Sequence, residues 1–135
     1  MQKTTMLAVL LTCGAAQAAD WQSYDISPNG YRSFMDVSSI QADGTIRKFW
    51  SKGVPRPNTV RGPGEYATKW LSYFLTREAI NCEEQTFREE SKVAYLDDGT
   101  TFSAPTESYP TPWKPIPPDS RAEAEMKIVC AWNPK

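Results

Sequence analysis

From Trp21 onward the chain reads mostly in period two. Trp21–Ile26 mixes aromatic and β-favouring residues and stops at Ser27-Pro28-Asn29-Gly30, a strong turn sequence. Tyr31–Val37 predicts a second strand, and Ala42-Asp43-Gly44 a tight turn. Thr45–Lys52 predicts a third, with Ile46 and Trp50 on one face; Asp43-Gly44 between two such runs suggests a hairpin. Gly53–Gly64 is dense in proline and glycine and reads as loop. Tyr66–Ile80 is apolar and aromatic throughout. A helix is conceivable there, but its Tyr, Trp, Phe and Thr content favours strand. Gln85–Leu96 alternates most clearly: Phe87, Glu89, Ser91, Val93 and Tyr95 share one parity, and Thr86, Arg88, Glu90 and Lys92 form a charged, wet parity. Asp97-Asp98-Gly99 then turns the chain back into Thr100–Ala104.

The period changes after this. Pro105–Pro118 is so rich in proline that it lacks the donors for a central strand or a helix, so it reads as an extended crossover. Pro112 and Pro115 also satisfy P-x-x-P, the pattern of a polyproline ligand. Ser120 with Glu123 three residues on forms a capping box, and Asp119 suits the positive end of a helix dipole. Ala122, Met126, Val129 and Cys130 then fall on one helical face, expected to be buried, while Arg121, Glu125 and Lys127 point elsewhere. Sequential strands followed by one helix predict an α+β domain with an antiparallel sheet.

The N-terminus carries export information. Lys3 is followed by the short apolar run Met6–Leu11 and then by Ala16-Gln17-Ala18, the small-x-small pattern of signal-peptidase cleavage. Residues 1–18 read as a signal peptide and residues 19–135 as a single mature domain. The apolar run falls far short of the roughly 20 residues that span a bilayer. A second reading takes Leu10-Leu11-Thr12-Cys13 as a lipobox, with acylation of Cys13. Thr12 is ill suited to the position before such a cysteine, and Ala16-Gln17-Ala18 would then have no purpose.

Cys13 leaves with the signal, so Cys82 and Cys130 remain in an oxidising compartment and predict one disulfide. The alternative is two buried free thiols. Chain-entropy arithmetic gives such a bridge about 4 kcal/mol, a large share of a small domain's stability. The charges nearly balance, 15 Lys and Arg against 16 Asp and Glu, with no run of like sign. That argues against a nucleic-acid footprint and against an anionic membrane as partner.

Catalytic chemistry is sparse. The chain contains no histidine, which removes Ser-His-Asp and Cys-His catalysis and most transition-metal sites. No P-loop, dinucleotide fingerprint or EF-hand loop occurs. Glu83-Glu84 and Glu89-Glu90 are sequence neighbours that would project to opposite faces of a strand, and Asp97-Asp98 is explained by its turn. We therefore expect no enzyme, no cofactor and no metal. The 5 tryptophans and 6 tyrosines are many for one small domain. They suit either a core of large residues or an exposed contact surface. Trp50 and Trp132 are expected in the core; Trp113 is expected to be exposed or to clamp the crossover.

Several blocks stand out together: Met35-Asp36-Val37-Ser38-Ser39-Ile40, Gly44, Trp50, Asn81-Cys82, Tyr95-Leu96-Asp97-Asp98-Gly99, Trp113-Lys114-Pro115-Ile116-Pro117-Pro118-Asp119-Ser120 and Cys130. Taken together they resemble the surface-adhesin protein E family of Gram-negative bacteria. The resemblance implies an antiparallel sheet of about six strands, with a C-terminal helix packed on one face and tied to it by a disulfide. It further implies a non-enzymatic binding protein of the cell envelope, in the periplasm or on the outer-membrane surface, able to form a homodimer. Host proteins such as vitronectin and laminin are the partners it suggests. No binding residue can be named from the sequence. A periplasmic inhibitor or immunity protein, or an accessory subunit of an envelope complex, is the alternative for a chain of this build.

Overall fold

A computed structural model describes residues 17–133. The signal-peptide and lipobox readings therefore fall outside the described residues, apart from Gln17 and Ala18. The strands are β1 (Trp21–Ile26), β2 (Arg32–Asp43), β3 (Ile46–Val54), β4 (Leu71–Asn81), β5 (Thr86–Leu96), β6 (Thr101–Ser103) and β7 (Lys114–Pro115). One α-helix, α1 (Arg121–Ala131), closes the order. β1 to β6 pair in sequence order as an antiparallel meander, and β7 joins the same sheet against β5. This is the α+β sheet with one C-terminal helix that the pattern predicts.

The helix begins as its sequence dictates. Ser120 accepts a hydrogen bond from the Glu123 backbone N–H at 3.2 Å, and the Glu123 carboxylate reaches back to the Asp119 N–H at 2.7 Å. That is the reciprocal satisfaction of a capping box, displaced by one residue. α1 lays Ala122, Glu125 and Val129 against one face of the sheet. Met35 and Ile40 of β2, Phe49 of β3, Ile80 of β4 and Val129 form the buried apolar cluster, with Phe87, Met126 and Trp132 packed around it. Cys82, just past the end of β4, bonds Cys130 in the last turn of α1 with Cα atoms 5.7 Å apart. The bridge closes a sequence separation of 48 residues. The helix is thus held by its cap at one end and by a covalent staple at the other.

Several sequence expectations are corrected. β2 does not stop at Val37 but runs to Asp43, through an irregularity between Asp36 and Gln41. The Asp36 carboxylate accepts from the Ser38 N–H at 3.0 Å, and Ser39 Oγ accepts from the Trp50 N–H at 2.9 Å, so side chains replace the missing ladder bonds. β4 starts at Leu71, not Tyr66, because Gly64–Tyr66 closes a short 3-10 turn whose N–H groups find local carbonyls. Glu125, assigned to solvent, is fully buried on the sheet side of α1. Trp50, assigned to the core, alternates with buried Phe49 and Ser51 and lies half-buried on the opposite face.

The most consequential correction lies in β5. Arg77 pairs with Ser91 but the next residue, Glu78, pairs with Glu89, so Glu90 is extra. Such a bulge exchanges the faces on either side of it. Phe87 therefore points to the helix side, while Val93 and Tyr95 point away from it, contrary to the single parity expected. Thr111 of the proline-rich crossover holds the bulge: it accepts from the Glu89 N–H at 2.9 Å and donates its own N–H to the Glu89 carbonyl at 2.8 Å. The crossover is an edge cover for β5, with Lys114–Pro115 paired to Thr86–Phe87. Proline is tolerated there because an edge needs fewer donors.

Candidate functional site

The two faces of the sheet carry different chemistry. Beneath α1 sits a sealed polar group: Glu78 and Glu125 are both fully buried. Arg121 Nη1 lies 3.3 Å from a carboxylate oxygen of each. Tyr24 donates to Glu125 and Ser51 donates to Glu78. Burial, together with the Glu78 charge, pushes the Glu125 carboxyl well above the usual carboxylate range. Burial also pushes the Tyr24 phenol far above its ordinary value, and that of Tyr31 up to about 12. Two carboxyls brought together in this way are the acid pair that sequence neighbours could not supply. With no exposure to solvent, they offer a substrate no access, and their role is structural.

The opposite face carries no helix. Its centre is a shallow depression of about 360 Å³, lined by Trp21, Asp36, Trp50, Leu75, Val93 and Tyr95. Cross-strand register builds it: Trp21 pairs with Asp36, Asp36 with Trp50, and Leu75 with Val93. Without the β5 bulge, Val93 and Tyr95 would lie under the helix and the depression would lose one wall. Tyr73 stacks on Tyr95 with ring centroids 4.4 Å apart. Asp36 is the one acidic group in the lining, and its carboxylate oxygen is occupied by the N–H groups of Asp20 at 2.9 Å and Ser38 at 3.0 Å.

Cations are layered over these rings. Lys52 Nζ sits 4.5 Å from the Tyr73 centroid and 5.7 Å from that of Trp21. The Arg77 guanidinium lies 5.8 Å from Trp50, Arg32 lies 5.7 Å from Phe34, and Arg88 lies 4.6 Å from Trp113. Each contact is worth about 0.5–2 kcal/mol. Lys48 and Arg88 share Glu90, at 3.3 and 3.0 Å. Burial acts to raise the Glu90 pKa, but hydrogen bonds from Arg88 and Lys48 outweigh it and hold the group below the usual carboxylate range. Among the described residues, Lys52, Arg77 and Arg32 have no carboxylate partner, so this face is positive although the whole chain is nearly neutral.

Trp113 thus clamps the crossover to the sheet, as one of its two expected roles requires, and Trp132 packs on the helix-side core. No group of three or more potential metal ligands occurs among the described residues. No described helix is long and apolar enough to cross a membrane.

The surface-adhesin protein E family model matches residues 21–131. The chain belongs to the surface-adhesin protein E family. The match takes in every strand and the whole of α1. Among solved structures, the selenomethionine form of Haemophilus influenzae protein E superposes with a TM-score of 0.55 at 16% identity, covering 85% of this chain and 93% of that one. At that identity the likeness establishes the shared fold alone. No curated protein matches the sequence significantly. As a family member, the chain is an exported surface-adhesin-like protein, and the family points to a protein partner.

Proposed function

We propose that this chain is a non-enzymatic adhesin of the Gram-negative envelope that binds a protein partner through the open face of its sheet. The observation that carries the reading is the chemistry of that face. Large aromatic side chains and arginine, the residue types that dominate protein–protein hot spots, lie together around a depression and outside the core. Host matrix and serum proteins such as vitronectin and laminin are the partners we propose, by the family resemblance. Export by residues 1–18, display on the outer-membrane surface and assembly as a homodimer complete the proposal.

Two measurements test it. Protease shaving of intact cells should remove the chain; complete protection until the outer membrane is broken would favour a periplasmic inhibitor or accessory subunit. Solid-phase assays at physiological salt should then detect binding of the purified mature chain to immobilised vitronectin or laminin. No signal above a control protein at micromolar concentration would remove host matrix proteins as partners.

A further inference from the structure

Resting on the reading of the open face as the binding surface, we infer that its depression takes a large apolar side chain from an acidic polypeptide segment, whose carboxylates meet Lys52 and Arg77. The lining is apolar but for Asp36, whose Oδ1 accepts from the N–H groups of Asp20 and Ser38. A space of about 360 Å³ suits one large side chain and is too small for a folded element. Lys52 stands over Trp21 and Arg77 over Trp50, so two tryptophans of the lining each carry a cation without a carboxylate partner. An apolar floor with a positive rim is complementary to an anchor residue flanked by Asp or Glu.

The same contacts argue against a sulfated polysaccharide. The rings of Trp21, Trp50 and Tyr73 are already associated with Lys52 and Arg77 and present no bare platform for a sugar. A polyanionic glycan also has no apolar group with which to fill the depression. A basic segment would meet the uncompensated charge of Lys52, Arg77 and Arg32.

The probe is a random glutamate–tyrosine copolymer, with poly-glutamate and heparin as comparators, titrated into the mature chain. The copolymer should bind at least about tenfold more tightly than poly-glutamate, because only it supplies an anchor. Lys52→Glu with Arg77→Glu should weaken copolymer binding by about tenfold or more in a chain that still unfolds in one cooperative transition above the assay temperature. Leu75→Trp, which fills the depression, should abolish the copolymer's advantage while leaving poly-glutamate binding in place. Equal binding of copolymer, poly-glutamate and heparin would overturn the inference in favour of a general polyanion surface. So would absence of copolymer binding, or binding that the charge reversals leave unchanged; those reversals decide the matter even if Leu75→Trp does not fold. The underlying reading fails separately. If vitronectin or laminin binding is lost in the charge-reversal variant yet the copolymer neither binds nor competes, the open face stands and the acidic partner falls.

Discussion

Phe49 and Trp50 are neighbours in β3, yet they serve the two faces of one sheet. Phe49 is fully buried under α1, whereas Trp50 is half-buried in a depression with Arg77 over its ring. The covered face is organised for closure: an apolar cluster, a polar group shut off from water, a capped helix and a disulfide. The open face keeps an equal wealth of large side chains but overlays them with cations. Aromatic content alone therefore does not separate core from contact surface; the burial of each ring does.

The contrast predicts opposite consequences for paired substitutions. Phe49→Ala should cost about 3–5 kcal/mol in chemical denaturation, the usual toll for a large buried aromatic. Trp50→Ala should cost only about 1–2 kcal/mol, since part of its surface is already wet. Comparable losses for both would mean that the open face is as much a core as the covered one. Removing the staple comes next. Cys82→Ala or Cys130→Ala should lower stability by about 2–5 kcal/mol, and an unchanged melting temperature would deny the bridge any role in holding α1.

The buried carboxyls give the covered face a pH signature opposite in sign to that of Glu90 on the open face, whose lowered pKa makes it stabilising above the acid range. Glu125 holds its proton to higher pH in the folded chain than in the unfolded chain, where it is released near the ordinary glutamate value of about 4.3. The folded state then binds more protons, so this group's effect is smallest below that pH. Stability falls as pH rises toward the folded value, by up to about 1.4 kcal/mol per pH unit. Glu125→Gln keeps the shape and the hydrogen bond without the ionisation. It should match the wild type near pH 4 and become the more stable chain as pH rises, the difference cancelling the contributions of other carboxylates. A gap that stays constant with pH would mean that Glu125 is ionised in the fold. Lys52→Glu with Arg77→Glu should cost on the order of 1–2 kcal/mol, the loss of their cation–π contacts at half-exposed sites, since neither has a carboxylate partner among the described residues to lose.

Much of the frame is legible residue by residue. Ser27–Gly30, Asp43-Gly44 and Asp97–Gly99 turn the chain where their chemistry demands it, with Gly44 and Gly99 at positive φ. Ser120 and Glu123 start the helix, and two cysteines leave one pairing. These are local signals, decided by a few neighbouring atoms. The bulge in β5 is not local, because Thr111 holds it from 22 residues away. Phe87, Val93 and Tyr95 keep an unbroken parity in the sequence, which hides the change of face. The one available hint was Ala94 and Leu96, apolar residues on the parity assigned to solvent. Glu125 was equally hidden, since its burial depends on the contacts with Arg121 and Tyr24, neither of which periodicity reports. The aromatic wealth of the chain was visible at once; its division between two faces required the register.

The central claim is that the open face, and not the helix side, meets the partner. Its most direct test is the affinity of the mature chain for immobilised vitronectin and laminin, with wild type and the Lys52→Glu, Arg77→Glu variant compared at a temperature where both are fully folded. The account predicts that the wild type binds and that the variant binds at least about tenfold more weakly. Equal affinity of the two folded chains would contradict it.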